Sequence, residues 1–229
     1  MKPECAGCPV LANTLFRNLS GDQFARFTCI FRPAHYRRNQ ILFFEGGAAD
    51  HLFALSAGLV KMVKPLENGK QRITRVIFPG DLFGLEALNE TKYPLSAVVL
   101  QDSEICAAPC KDFFTFLRAN PDISLDMIRF LLGEIAEIRS RMTTMSFKNA
   151  GARVATFLFS LISPDAMETA KSYSLTLSLT SQEIGEVLEL SSETVSRAWN
   201  LLRREGLIEK RGRRLVIQDV QALERATHH

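Results

Sequence analysis

The polar residues with the most specific chemistry in this sequence are Glu193, Ser196 and Arg197. At about 100° per residue they share one side of a predicted helix. An arginine can donate two parallel hydrogen bonds to guanine, a carboxylate can accept from cytosine N4, and a serine can bond a base or a phosphate. The pattern predicts a helix that reads bases in the DNA major groove. The same face also carries Asn200 and Arg204, and the opposite, apolar face carries Val195, Ala198, Trp199 and Leu202.

A shorter helix is predicted directly before this one. Thr180 and Glu183 have the spacing of a capping box, in which the two side chains satisfy free N–H groups at a helix start. We expect this helix to end near Glu189, with a tight connection through Leu190 and an N-capping serine at the start of the next helix. The two helices together predict a helix-turn-helix, in which Thr180 and Ser181 also contact DNA.

A basic hairpin is predicted after the second helix, which Gly206 ends. Residues 207–217 have the pattern of two short strands with a turn around Gly212. From Ser196 to Arg214 the chain holds seven Lys or Arg and two Glu, a balance of +5, whereas the whole chain carries +3. We expect this wing, with Arg213 near its turn, to bind phosphate. The alternative is an ordinary helix pair with a solvated polar face and a basic hairpin. The basic residues of the hairpin are Lys210, Arg211, Arg213 and Arg214.

The first half of the chain must supply the scaffold that positions this DNA-binding region, and its sequence pattern is typical of a β-sheet. Short apolar runs alternate with turns that contain Gly47, Gly58, Gly69 and Gly80, each eleven residues after the last. Asn68-Gly69 is a strong hairpin signal, because both residues tolerate positive φ. The spacing predicts an antiparallel β-sandwich or β-roll, preceded by a short helix that ends before Pro33.

A long helix is predicted from about Asp122 to Ser146. Its apolar residues recur at intervals of three and four, which is the pattern of a coiled-coil seam. We therefore expect two copies of the chain to pair along this helix; the alternative is a helix packed on its own β-domain. The predicted fold class is α+β, with a β-roll domain at 1–120, a dimerisation helix at 121–148 and a winged helix-turn-helix at 149–227. The seam residues are Ile128, Leu131, Ile135, Ile138, Met142 and Met145.

Composition limits the remaining possibilities. The 229 residues are 46% hydrophobic and 23% charged, as in a soluble globular protein. The sequence has neither an apolar run of about 18 residues nor the apolar core of a secretory signal, which predicts a cytoplasmic protein with no membrane partner. The common catalytic motifs are missing, so we expect no enzymatic activity. Five cysteines then indicate thiol, metal or redox chemistry.

Three segments carry a resemblance to a known family: ILFFEGGAADHLFALSAGLVKM, FPGDLFG and SSETVSR. Together with the order of β-roll, long helix and winged helix-turn-helix, they make nearly the entire chain resemble the CRP/FNR family of bacterial transcription regulators. The resemblance implies a cyclic-nucleotide-binding-like β-roll and a homodimer that works with RNA polymerase. The E-x-x-S-R of the FNR branch falls on Glu193, Ser196 and Arg197, which implies a palindrome close to TTGAT-N4-ATCAA.

The resemblance also bears on the signal. Leu85 and Leu95 occupy the places where cyclic-nucleotide-binding members have a Glu and an Arg, which argues against a cyclic nucleotide. Cys5, Cys8 and Cys106 match three of the four ligands of an oxygen-sensitive [4Fe-4S] cluster in FNR-type proteins. The fourth position falls on Thr14, and the candidates to replace it are Cys29 and Cys110, each of which is alternatively a small core residue.

Several other inputs stay open from the sequence. Cys5 or Cys8 is able to pair with Cys106 in a dithiol switch, and structural zinc is a further option. Haem or nitric oxide sensing would have only His35 and His51 as internal histidines. A small ligand inside the β-roll, or a ligand-binding or interaction module that no longer binds DNA, are the remaining alternatives.

Overall fold

The computed structural model describes residues 8–12, 15–16, 19–66, 71–145, 149–162, 167, 170–177 and 179–227. The chain divides into two compact units, residues 1–137 and residues 138–229. Among the described residues, every helix is either too short or too polar to pass through a membrane.

The first unit is built on an antiparallel sheet. Its strands are β1 (Arg32–Tyr36), β2 (Ile41–Phe43), β3 (His51–Pro65), β4 (Gln71–Ile77), β5 (Leu82–Phe83) and β6 (Ser96–Pro109). The main path runs β1-β6-β3-β4, with β2 paired to β6 and β5 paired to β3. The two long strands, β3 and β6, form the centre of the sheet and pair from His51↔Pro109 to Val63↔Ser96.

Helices cover one side of this sheet. Helix α1 (Gly21–Ile30) starts with a capping box between Ser20 and Gln23. Helix α2 (Cys110–Ala119) follows β6 directly, and α3 (Pro121–Met145) begins after a single residue, with proline in the first turn, where its missing N–H costs nothing. Short 3-10 helices lie at Pro9–Ala12 and Leu85–Leu88. A chain of aromatic rings joins α1 to α2: Phe16, Phe27, Phe31, Phe113 and Phe116.

Helix α3 has two apolar sides in its first half. Ile123 and Met127 are buried in the core of the sheet domain, and Leu131 packs against that core. Its other apolar side chains face outward along one line. Leu132 is 60% exposed, whereas Leu131, which the sequence pattern placed in the seam, is half-buried. The side chains of Met142 and Met145 lie outside the described residues. The exposed apolar residues of α3 are Leu125, Ile128, Leu132, Ile135 and Ile138.

The second unit is a small helical domain with a three-stranded sheet. Its helices are α4 (Ala150–Phe159), α5 (Ser181–Leu188), α6 (Ser192–Arg204) and α7 (Val220–Ala226). Its strands are β7 (Tyr173–Thr176), β8 (Ile208–Arg211) and β9 (Arg214–Ile217), which lie in the order β7-β9-β8. Helix α4 packs on α6 and on α7, and its apolar face supplies the centre of this core.

The α+β class and the order of a β-domain, a long helix and a helix-turn-helix are confirmed. The hairpin predicted at Asn68-Gly69 is supported by the pairing of Pro65 with Gln71, although residues 67–70 lie outside the described part. Strand β7 pairs with β9 from Tyr173↔Ile217 to Thr176↔Arg214.

Candidate DNA interface and thiol cavity

The helix-turn-helix is fixed by capping and by one close backbone approach. Thr180 accepts a hydrogen bond from the Glu183 N–H at 3.1 Å, and the Glu183 carboxylate accepts one from the Thr180 N–H at 2.9 Å. After α5, Glu189 adopts the left-handed conformation, and the Leu190 N–H donates to the Gly185 carbonyl. A Cβ at Gly185 would lie 2.5 Å from the Leu190 carbonyl oxygen, so this turn requires glycine.

Helix α6 separates its two faces as the sequence predicts. Ser191 caps it by accepting from the Thr194 N–H at 3.1 Å. Val195, Ala198 and Leu202 are buried, which fixes the helix against α4 and α5. On the opposite side, all the residues of this helix predicted to contact DNA are exposed: Glu193, Ser196, Arg197, Asn200 and Arg204.

The carboxylate of Glu193 is held ready to accept hydrogen bonds. Its own backbone N–H, followed by Ser191, Ser192 and the charge of Arg197, lowers the pKa of Glu193 below its usual range. Ser192 donates to Glu193 Oε1 at 3.3 Å. Glu193 therefore remains an acceptor at and below neutral pH. This is the protonation state that hydrogen bonding to a cytosine amino group requires.

The wing is a β-hairpin of β8 and β9 with Gly212 at φ +63° in its turn. Several of its basic side chains make contacts within the unit. Arg211 pairs with Glu209 at 2.7 Å, Arg214 donates to Ser174 at 2.9 Å, and Lys210 Nζ lies 5.2 Å from the centre of the Trp199 ring. Arg213 is exposed at the turn. The hairpin therefore presents positive charge beside α6.

Two contacts in this unit had no clear signal in the sequence. Lys210 over Trp199 ties the wing to α6, and a cation–π contact of this kind joins residues eleven positions apart. Arg153 on α4 donates to the Leu188 carbonyl and so satisfies the carboxyl end of α5. The expected DNA contact by Thr180 competes with its capping role, because its hydroxyl already bonds Glu183.

In the first unit, a cavity of about 260 Å³ lies between α1, the N-terminal 3-10 helix and the sheet. Cys8 and Cys106 both line it. Cys8 comes from the N-terminal segment, and its Sγ lies 3.3 Å from Ser56 Oγ on β3. Cys106 lies on β6, paired with Pro33 on one side and with Ala54 on the other. The walls include Val10, Leu11, Phe27, Phe31, Pro33 and Ala34.

The other described cysteines lie elsewhere. Cys29 is exposed on α1 and does not line the cavity. Cys110 is buried at the start of α2, and burial together with the nearby charge of Asp50 raises the pKa of its thiol. Cys5 and Thr14 lie outside the described residues. The structure thus brings together two of the thiols that the sequence singled out, 98 positions apart.

Residues 33–120 match the family model of the cyclic nucleotide-binding domain, and residues 152–226 match that of the Crp-like helix-turn-helix domain. The fumarate and nitrate reduction regulatory protein of Escherichia coli strain K12 is 28% identical over 200 residues, which are 87% of this chain and 80% of that protein. This chain belongs to the CRP/FNR family of transcription regulators. Its helix-turn-helix is therefore a DNA-binding element of that family.

Further CRP/FNR relatives agree with this assignment. The anaerobic regulatory protein of Pasteurella multocida strain Pm70 is 28% identical over 194 residues, which are 85% of this chain and 71% of that protein. The structure of FixK2 from Bradyrhizobium japonicum superposes with a TM-score of 0.73 at 25% identity, over 86% of this chain and 97% of that one. A CRP-family transcriptional regulator from Thermus thermophilus gives a TM-score of 0.64 at 26% identity, over 86% and 97%.

Two features of the family can be tested on these residues. Leu85 and Leu95 pack against the core of the sheet, so neither offers the charged or polar group that a cyclic nucleotide phosphate needs. A [4Fe-4S] cluster takes four thiolates. Among the described residues, the cavity supplies only Cys8 and Cys106, and no group of three or more Cys, His, Asp or Glu is placed to hold a metal ion. The described residues therefore do not complete a cluster site.

Proposed function

We propose that this CRP/FNR regulator is a homodimer that reads a palindrome of TTGAT-N4-ATCAA type. The observation that carries the proposal is the exposed set of Glu193, Ser196 and Arg197 on a helix whose opposite face is buried. The backbone is already capped and the carboxylate already ionised, so these side chains need little reorganisation on binding. Arg213 and the N-terminus of α5, where Ser181 is exposed, contact phosphate.

Pairing of two copies along α3 follows from its exposed apolar line. Monomeric proteins rarely leave a continuous row of large apolar side chains in water. A two-fold axis along α3 gives two recognition helices related by symmetry, and a palindrome has the same symmetry. As a regulator of this family it acts on transcription in the cytoplasm, by contact with RNA polymerase.

The proposed signal is a change in oxidation state, and the groups that sense it are the thiols of Cys8 and Cys106. Two relatives support it by name, since one regulates fumarate and nitrate reduction and the other is an anaerobic regulator. Thiol chemistry between the N-terminal segment and β6 would hold that segment on the sheet.

Helix α1 connects this cavity to the dimerisation helix. Phe27 of α1 and Phe31, directly after it, line the cavity, and Gln23, one turn before Phe27, donates to Asp122 in the first turn of α3 at 2.9 Å. This bond also lowers the pKa of Asp122. A shift of α1 is therefore transmitted to the root of α3. Two states that differ by a few kcal/mol are enough for such control, because about 2.7 kcal/mol changes their ratio a hundredfold.

The experiment compares DNA affinity of wild type, Cys106→Ser and Cys110→Ser, each prepared without oxygen and after exposure to air, with iron and free thiols counted in the same samples. We expect the wild type and Cys110→Ser to change affinity between the two conditions, and Cys106→Ser to lose the change while it stays folded. Cys110 is the matched control, since it is a cysteine of the same domain that the cavity does not include. Equal binding by all three proteins under both conditions, without iron, would remove thiol sensing.

A further inference from the structure

The cavity that holds the two thiols is larger than a disulfide or a metal ion would fill. About 260 Å³ is near the lower limit of small-molecule sites in proteins, which are mostly apolar and have a few convergent polar groups. Phe27 and Phe31, whose ring centres are 4.5 Å apart, stand on one side of it. The opposite side is the sheet, with Ala54 and Ser56 of β3. The space therefore suits a compact, largely apolar molecule.

The charges around the cavity argue against an anionic ligand. The described residues that line it include no Lys or Arg. Its only ionisable groups besides the thiols, within that described lining, are His35 and Glu104, which face each other across β1 and β6 and are exposed at its mouth. An anion brought into an apolar site needs a paired cation. The same lining offers hydrogen-bond donors for a carbonyl oxygen, namely the His35 ring and the one hydrogen that the Cys8–Ser56 pair leaves unused.

We propose that the cavity binds a small quinone and that the bound quinone oxidises Cys8 and Cys106 to a disulfide. This rests on the proposed redox function and names its input. A quinone is flat and neutral, has two carbonyl oxygens, and accepts electrons from thiols. The cavity thus couples the redox state of a lipid-soluble electron carrier to DNA binding.

The reaction is balanced by the two thiols and one quinone. Both S–H bonds break, one S–S bond forms between the two sulfurs, and two electrons with two protons pass to the quinone oxygens, which leaves a hydroquinone. Cys8 Sγ is 3.3 Å from Ser56 Oγ, and Ser56 lies two residues along β3 from Ala54, the strand partner of Cys106. Both thiols line the same cavity, so a disulfide between them would join the N-terminal segment to β6.

The probe is duroquinone, whose ring carbons are all methylated, so that thiols cannot add to the ring. The reduced full-length protein is mixed with one equivalent under argon, and free thiols and disulfide-linked peptides are measured over time. We expect loss of two thiols and a Cys8–Cys106 disulfide. A different pairing, or no oxidation, would overturn the proposal.

Two matched variants test the cavity itself. Glu104→Trp places a large side chain at an exposed position that lines the cavity, on the same face of β6 as Cys106, and Ala25→Trp does so at an exposed position of α1 outside it. Glu104→Trp should slow oxidation by duroquinone at least tenfold, and should leave oxidation by hydrogen peroxide within twofold of wild type. Ala25→Trp should change neither rate. Equal slowing of both oxidants by Glu104→Trp would mean that the residue only gates access to the thiols and that no quinone site exists.

A binding measurement separates this proposal from the proposed function. Calorimetric titration of reduced protein with durohydroquinone, which cannot oxidise thiols, should show binding to wild type and to Cys106→Ser, and at least tenfold weaker binding to Glu104→Trp. Binding without any redox effect on DNA affinity would contradict the redox function and leave the site intact. Redox control of DNA affinity without such binding would leave the function and remove the quinone.

Discussion

Replacing Ile135 by alanine should weaken the dimer without disturbing either unit. Ile135 is 44% exposed on the outward line of α3, so pairing two copies removes about that fraction of its surface from water. Full burial of an isoleucine stabilises by about 1.5–3 kcal/mol, and about two fifths of this is about 1 kcal/mol. Two-fold symmetry doubles the loss to about 2 kcal/mol, or roughly a thirtyfold rise in the dimer dissociation constant.

Sedimentation equilibrium over a range of protein concentrations measures that constant directly. Leu66→Ala is the matched control, because Leu66 is 41% exposed and lies directly after β3 instead of on α3. It should leave the dimer unchanged. Ile135→Glu should be monomeric at every concentration, since pairing would bury two unpaired carboxylates. If Ile135→Ala has the same dimer dissociation constant as Leu66→Ala and wild type, the two copies do not pair along this line of α3.

The other predictions concern the wing and two groups of the sheet domain. Arg213→Ala should weaken binding to all DNA sequences alike and reduce the salt slope of log K by about one, because Arg213 is proposed to contact a phosphate and no base. A loss of affinity confined to one sequence would contradict this. Burial raises the pKa of Tyr93 to about 12, so its contribution to stability is complete below pH 10 and is lost between pH 10 and about 12. The free energy of unfolding in urea should therefore fall more steeply over this pH range in wild type than in Tyr93→Phe. Parallel slopes for the two proteins would refute this. Because the pKa of Cys110 is raised, its thiol should react with iodoacetamide at pH 8 more slowly than that of Cys29, as read by mass spectrometry, and equal rates would count against its burial.

The helix-turn-helix was predictable because its signals are local. The Thr180–Glu183 box and the faces of α6 span only a few residues each, and the structure has both as expected. The exposed line of α3 was predicted less well. A heptad pattern includes Leu131, but the point where the helix leaves the sheet decides which apolar residue is covered, and Leu132 is the exposed one.

The cavity could not be read from the sequence, because its walls come from distant segments. Cys8 reaches it from the N-terminal segment, Phe27 and Phe31 from α1 and its carboxyl end, and Cys106 from the sheet. One part of it did have a signal. Glu104 and Cys106 are two residues apart on one strand, and alternation places both side chains on the same face. The covering helix and the volume beneath it follow only from tertiary packing.

The most direct test of the central claim is equilibrium binding of wild type and Arg197→Ala to a TTGAT-N4-ATCAA duplex and to one in which both half-sites are scrambled. Salt concentration and redox state are held fixed throughout. Wild type should prefer the palindrome. Arg197→Ala should lose about 1–3 kcal/mol of binding free energy per half-site on it, while its binding to the scrambled duplex changes little. Equal affinity of the two proteins for the palindrome would contradict the base-reading role of this face of α6.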